Sequence, residues 1–193
     1  MGSEADNQDL PGEPVRGSGM DRSPLGAVLA AAKSEKHAYA GDEERPLGSF
    51  LVLMGTYGAV VAGLGAAVRR WGHEAGAPSW GDLAMAAVAT HKLSRLIAKD
   101  PVTSPLRAPF TRFQGTSGEA ELAEEVRGSG PRKAVGELVT CPFCLGLWVA
   151  TGFVFGLELF PRPTRLVASI FTTVTASDVL QLGYAKLQQA STG

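Results

Sequence analysis

The chain has 193 residues and a formal net charge of −1, and 19% of its residues are charged. It contains no basic stripe interleaved with aromatic residues, so we expect no nucleic-acid partner. The mean hydropathy of +0.06 is high for a soluble protein. This value is an average over polar segments and several charge-poor runs.

The first 46 residues are predicted to form a disordered N-terminal tail that contains a short helix. Residues 1–22 are rich in Gly, Ser, Pro, Asp and Glu and carry too little apolar surface to offset the entropy of ordering. The apolar patch at 25–32 is followed by the charged segment 33–37, which is not typical of a signal peptide. We therefore expect a short surface helix there.

The first membrane span is predicted at about 47–68. Residues 50–68 carry no charge, which meets the criterion of roughly 18 residues for a transmembrane helix. Small side chains recur at every fourth position of this run, at Gly55, Ala59, Gly63 and Ala67. Because small side chains let helix backbones approach closely in lipid, this face should contact other helices of the bundle, another membrane protein or a second copy.

Residues 81–99 form the second predicted helix, for which two arrangements are open. The second half is amphipathic, and its polar side carries His91, Ser94, Arg95 and Lys99. The helix either spans the bilayer, with long cationic side chains reaching the headgroups, or lies in the plane of the interface. There are four spans in the first case and three in the second. The Asp100–Pro101 step ends the helix, because the residue before proline is disfavoured in the α region.

Residues 100–140 are predicted to form a polar cytoplasmic loop between two spans. Prolines interrupt the first part of the loop. The middle part is acidic and contains Glu119, Glu121, Glu124 and Glu125. We interpret the segment 115–130 as a short, solvent-exposed helix, and no strand pattern is predicted.

The third span is predicted at about 143–160. Thr140 is the predicted N-cap, and Pro142 lies in the first turn, where its missing N–H is tolerated. Residues 141–160 together are just long enough to cross a hydrocarbon core of about 30 Å.

The fourth span is predicted at about 166–187, followed by a short tail at 188–193. It contains one acid, Asp178. A lone acid facing lipid costs several kcal/mol, so Asp178 should face the bundle with Lys92 or Arg95 as counter-ion. Asp178 then forms a structural ion pair or, in the alternative, serves as the coupling site of a small transporter.

Both termini are predicted to be cytoplasmic. With four spans, this orientation places most Lys and Arg residues on the inner side, as the positive-inside rule requires. The inner set includes Lys33, Lys36, Arg45, Lys99, Arg107, Arg112, Arg132, Lys133 and Lys186. The outer set is Arg69, Arg70, Arg162 and Arg165, of which the first two depart from the rule.

Both cysteines lie in the motif Cys141–Pro142–Phe143–Cys144. They could simply pack at a helix start, or they could form a dithiol redox centre, because the helix dipole lowers thiol pKa there. Thioredoxin-like enzymes, however, place such a motif in a βαβ unit. Zinc would need two further ligands that no second motif supplies, and acylation at the membrane edge is a fourth interpretation. We expect neither a metal nor a cofactor.

Two blocks of the sequence resemble one family. The first is 89–97 (ATHKLSRLI), followed by Asp100 and Arg107, and the second is 136–148 (GELVTCPFCLGLW). On these blocks, roughly residues 47–187 resemble the domain of unknown function 1360 family of small bacterial membrane proteins, some of which are linked to sporulation. The chain departs from that family at positions 91 and 92, where similar proteins carry an aromatic residue and an arginine. The resemblance implies a multi-pass membrane protein and no established chemistry.

These features together predict an all-α integral membrane bundle of the bacterial inner membrane, in contact with lipid. The predicted function is a non-enzymatic scaffold or interaction module, and the alternatives are a membrane thiol redox protein or sensor and a small transporter. The candidate functional cluster is Cys141, Cys144, Arg95, Asp100, Arg107 and Trp148. Asp178 and His91 are the predicted polar residues within the membrane.

Overall fold

The computed structural model describes residues 24–40, 45–72, 77–118 and 120–192. The chain divides into two units, Met1–Glu44 and Arg45–Gly193. In the first unit, helix α1 covers Pro24–Ala40, which is longer than the surface helix predicted from the apolar patch. The disorder predicted for residues 1–22 lies outside the described residues.

The second unit is mostly helical. Its helices are α2 (Leu47–Trp71), α3 (Trp80–Lys99), α4 (Ser104–Arg107), α5 (Gly130–Thr140), α6 (Pro142–Leu159) and α7 (Pro161–Thr192). A 3₁₀ turn at Pro101–Thr103 joins α3 to α4. Strands β1 (Thr111–Gly118) and β2 (Glu121–Val126) lie between α4 and α5.

Among the described residues, three helices are long and apolar enough to cross a membrane, which indicates a membrane protein. They are Leu47–Trp71, Pro142–Leu159 and Pro161–Ser191, and they include three of the four predicted spans. Helix α3 does not meet the same criterion, because Asp82, Lys92 and Arg95 interrupt its apolar character.

The described residues are mostly helical, as the sequence predicted, but the prediction of a helix at 115–130 was wrong. In place of that helix the chain forms an antiparallel hairpin, in which Thr111 pairs with Val126 and Gly118 with Glu121. Ala120 turns the chain with a φ of 57°, and Gly115 has a φ of 138° where the register shifts. The charge pattern indicated solvation but not secondary structure, and cross-strand pairing between distant residues decided the outcome.

Helix α3 lies at the centre of the helical unit. Ala86 and Ala89 of α3 are buried in one cluster with Phe153 and Leu157 of α6 and Ala168 of α7. The alanine side chains are small, so α6 and α7 can both approach the α3 backbone closely. The helix with the weakest membrane signature in the sequence is therefore the one on which the other two pack.

Helices α3 and α7 run parallel to each other. Arg165 Nε donates to Asp82 Oδ1 at 2.7 Å near the start of both helices, and Lys92 Nζ donates to Asp178 Oδ2 at 2.6 Å further along. Between these ion pairs, Thr172 Oγ1 donates to a backbone carbonyl of α3 at 3.1 Å. These three contacts occur in the same order along both helices, so the helices are parallel, and the ion pairs fix their register.

Helix α2 packs on α6 through one aromatic contact and one hydrogen bond. The Tyr57 and Trp148 rings meet edge to face with their centroids 5.1 Å apart, and the Tyr57 hydroxyl lies 2.9 Å from Thr151 Oγ1. The small-residue face of α2 is open, since a Cβ atom added at Gly55 or Gly63 would meet nothing within 4 Å in the described part of the chain.

Candidate functional site

Arg107 is the largest fully buried side chain among the described residues, with an exposed fraction of 0%. Its Nε donates to Glu124 Oε2 at 2.5 Å, and its Nη2 donates to Glu124 Oε1 at 3.3 Å. The Glu124 side chain is itself only 6% exposed. This two-point pair between a guanidinium and a carboxylate joins the end of α4 to β2, and its planar geometry favours arginine over lysine.

The remaining donors of Arg107 bind the end of α3. Nη1 donates to the Ile97 carbonyl at 2.7 Å and to Thr103 Oγ1 at 2.8 Å, and Nη2 donates to the Asp100 carbonyl at 3.1 Å. The Asp100 carboxylate in turn accepts a hydrogen bond from the Val102 N–H at 2.8 Å. Asp100 and Arg107, both predicted site residues, therefore fix how the chain leaves α3.

Helix α5 closes over the base of the hairpin. A Cβ atom added at Gly136 would lie 2.6 Å from Val126 Cγ1 and 3.3 Å from the Phe110 carbonyl, so only glycine fits this contact. Arg132 donates to the Pro109 carbonyl from the same helix. The described residues between 101 and 140 therefore form a folded segment of helices and a hairpin, whereas the sequence predicted a polar loop.

The interpretation of the hairpin glutamates as a solvated face was right for Glu125, which is exposed, and wrong for Glu121 and Glu124. Glu124 is buried against Arg107, and Glu121 pairs with Arg95 of α3. No sequence signal identified either partner, because each pair joins residues that are far apart in the chain and meet only after the hairpin forms.

A cavity of about 610 Å³ lies between the second half of α3, the middle of α7 and the hairpin turn. It brings together four of the predicted site residues, namely His91, Arg95, Asp100 and Asp178. Leu96, Val179 and Leu182 form the apolar part of its wall. The cavity thus combines charged and apolar surface.

Two of the three Lys and Arg side chains in the cavity wall form ion pairs, and the third, Lys99, does not. Asp178 pairs with Lys92, which is one of the two counter-ions named from the sequence, and Arg95 pairs with Glu121. Lys99 is partly buried in the same wall, and its side chain makes no hydrogen bond or ion pair within the described ranges. The pair with Lys92 supplies the counter-ion that an acid inside the bundle needs.

The cysteine motif lies at the junction of α5 and α6. Thr140 was predicted to be the N-cap of this helix, and that prediction was wrong. Thr140 is the last residue of α5, and its hydroxyl donates to the Gly136 carbonyl at 2.8 Å. Cys141 takes that position, and its Sγ accepts from the Cys144 N–H at 3.2 Å. Both thiols are free, with 2.6 Å between the two sulfurs, and Cys144 is exposed.

The predicted cluster is therefore divided. In the part of the chain that the structure describes, no hydrogen bond or ion pair joins Cys141 or Cys144 to Arg95, Asp100 or Arg107. Among the described residues, no His, Asp or Glu side chain joins the two thiols to form a group of three potential metal ligands.

Trp148, the remaining residue of the predicted cluster, follows Cys144 by one turn of α6. Its ring packs on Tyr57, at the interface between α2 and α6.

The part of the chain that matches a known family contains the cavity wall, the hairpin and the cysteine motif. The sporulation protein YjcA of Bacillus subtilis (strain 168) is 23% identical over 110 residues, which is 55% of this chain and 93% of that protein. No solved structure matches the chain. The model of the family described as "Protein of unknown function (DUF1360)" matches residues 85–184, from within α3 to within α7. The chain therefore belongs to the DUF1360 family.

Proposed function

We propose that this protein is a four-span scaffold of the bacterial inner membrane that holds a folded interaction module at the cytoplasmic surface. The module comprises residues 101–140, between α3 and α6. The observation that carries the proposal is the burial of Arg107, which connects the end of α3 to the hairpin. A loop without a structural role would not need a fully buried ion pair, since such pairs fix geometry more than they add stability.

The parallel packing of α3 and α7 supports the fourth span. Arg165 and Asp178, which contact the two ends of the shared interface, are 13 positions apart on α7, about 20 Å of helix. A helix lying in the interface plane would cross a spanning helix over a much shorter distance. The charges of α3 that weaken its membrane signature include Asp82 and Lys92, and α7 neutralises both.

The orientation follows from the charge of the module. Arg107, Arg112, Arg127, Arg132 and Lys133 all lie within it. The positive-inside rule places such a segment in the cytoplasm, and four spans then place both termini there too.

Cysteine labelling tests this topology in a Cys141→Ser/Cys144→Ser background. Single cysteines replace Ala77, Ala87 and Ser117, which all have exposed side chains. In intact cells, a membrane-impermeant maleimide should label position 77, should reach 117 only after permeabilisation, and should not label 87. Labelling of both 77 and 117 from outside would show that α3 does not cross and would refute the four-span arrangement, whereas labelling of 117 alone from outside would refute the cytoplasmic orientation of the module.

Photo-crosslinking in living cells tests the scaffold function. A photoreactive amino acid replaces Phe113 of β1, which is 66% exposed, or Val52 of α2, which is 67% exposed and serves as the matched control. Position 113 should give discrete protein adducts, and position 52 should give lipid adducts. The protein adducts should weaken in an Arg107→Met background, because the hairpin loses its fixed position. If 113 captures no more protein than 52, the scaffold proposal fails.

A second candidate function rests on the adjacent thiols of Cys141 and Cys144. Oxidation would join the two sulfurs, release two protons and pass two electrons to a disulfide or quinone acceptor. We expect the purified protein, equilibrated in glutathione buffers, to show one two-electron transition between about −270 and −120 mV, the range of thiol oxidoreductases. Thiols that stay reduced throughout that range would eliminate this function, and Cys144→Ser is the control that cannot form the disulfide.

A further inference from the structure

The wall of the cavity between α3, α7 and the hairpin turn carries three cations, Lys92, Arg95 and Lys99, and three carboxylates, and only two of the cations form ion pairs with those carboxylates. Lys92 and Arg95 each pair with one carboxylate, from Asp178 and Glu121 respectively. Lys99 has no such partner among the described residues although it is partly buried. Because Lys99 lines the cavity and its ammonium group has no carboxylate partner there, its N–H donors are available to an anionic ligand.

The paired cations can also contribute to binding. Lysine offers three N–H donors and arginine offers five, and each of these pairs uses one contact to a carboxylate oxygen. The third carboxylate of the wall, on Asp100, accepts a hydrogen bond from the Val102 N–H. His91 adds an exposed side chain whose imidazole makes no hydrogen bond or ion pair with the described residues. Several free donors therefore line one small volume, as recognition of a phosphate group requires.

The apolar part of the wall indicates what the phosphate is attached to. Val179 is 64% exposed and Leu182 is 53% exposed, and both line the cavity beside Leu96. With four spans, Asp178 lies about 20 Å along α7 from Arg165, inside a hydrocarbon core of about 30 Å. The donors then face the headgroups of the inner leaflet, and the leucine and valine side chains face the acyl chains.

We propose that this cavity binds the phosphate group of an anionic phospholipid from the cytoplasmic leaflet. Lys99 is the main cationic contact, Lys92, Arg95 and His91 add donors, and one acyl chain lies along Val179 and Leu182. Inorganic phosphate offers the same anionic oxygens as the lipid headgroup but has no acyl chain to contact the apolar wall. The assignment depends on the four-span arrangement and not on the scaffold function.

Native mass spectrometry of the full chain in detergent tests the assignment. The probes are dioleoylphosphatidylglycerol, dioleoylphosphatidylcholine and inorganic phosphate, each added separately at the same concentration. We expect one tightly retained phosphatidylglycerol, favoured over phosphatidylcholine by about fivefold per unpaired cation. Lys99→Gln should remove this preference and Lys99→Arg should keep it. Lys186→Gln is the matched control, since Lys186 is an exposed cation of α7 outside the cavity wall, and it should have no effect.

Three results would overturn the proposal. Equal retention of the two lipids would show that the headgroup charge is not recognised. Equal losses in Lys99→Gln and Lys186→Gln would show that any surface cation serves. Displacement of the lipid by an equal concentration of inorganic phosphate would assign the cavity to a soluble anion. If Lys99→Gln does not fold, His91→Gln at an exposed position should still lower the preference for phosphatidylglycerol, and its failure to do so counts against the proposal.

Discussion

Replacing Arg107 by methionine should release the hairpin from α3 while leaving the membrane helices in place. The change leaves the Glu124 carboxylate, 6% exposed, buried without its cation. It also removes donors from the Ile97 and Asp100 carbonyls. Breaking a buried pair by removing one partner costs about 3–5 kcal/mol. Since each 1.4 kcal/mol is about tenfold, this cost should raise the opening equilibrium of the hairpin by about two to three and a half powers of ten.

Hydrogen exchange read by mass spectrometry measures this opening directly. In detergent, amides of β1 and β2 should exchange at least about a hundredfold faster in Arg107→Met. Peptides from α6 should be unchanged. Arg95→Met is the matched control, because Arg95 pairs with Glu121 of the same hairpin but is 43% exposed. An exposed pair is worth about 0–1 kcal/mol, so that variant should lose little protection.

A double variant separates the loss of the pair from the loss of the side chain. Arg107→Met/Glu124→Met removes the orphaned carboxylate and should recover part of the lost protection, because buried charges can often be replaced by apolar groups together. If Arg107→Met and Arg95→Met lose equal protection, burial does not determine the strength of these pairs here, and the argument for a rigid module is refuted.

Three further results are expected. Exchanging the charges in Lys92→Asp/Asp178→Lys should restore much of the thermal stability that either single change removes in detergent, whereas no recovery would mean that the two side chains do not pair. Gly136→Ala should destabilise the protein by about 1–3 kcal/mol through a clash, while Gly146→Ala, in open space, should be neutral or stabilising in a melting assay. Tyr57→Phe should lower stability by about 0.6 kcal/mol, and a loss above about 2 kcal/mol would contradict a single interhelical hydrogen bond.

The hairpin illustrates why sequence reasoning failed at one place. The acidic composition of β2 indicated exposure, and it would have been compatible with either a helix or a strand. Only the pairing of residues such as Thr111 with Val126 determines the strand, and that pairing depends on a turn at Ala120 with positive φ. Alanine gives no warning of such a conformation, because it adopts it rarely.

Helix α3 is a second place where the sequence alone was insufficient. Its charges lower its apolar character below that of a membrane span when the helix is considered alone. In the fold, Asp82 and Lys92 each meet an oppositely charged side chain of α7. Hydropathy counts a charge as a cost wherever it stands, whereas the real cost depends on the partner.

The sequence by itself determined the three apolar helices, the start of a helix at the cysteine motif and the need of Asp178 for a counter-ion. Each of these follows from local hydropathy, proline position or a single charge. Only the tertiary structure decided that α3 lies at the centre of the bundle, that Arg107 and Glu124 are buried and that four predicted site residues share one cavity. Those features depend on contacts between distant segments, which local periodicity and composition do not encode.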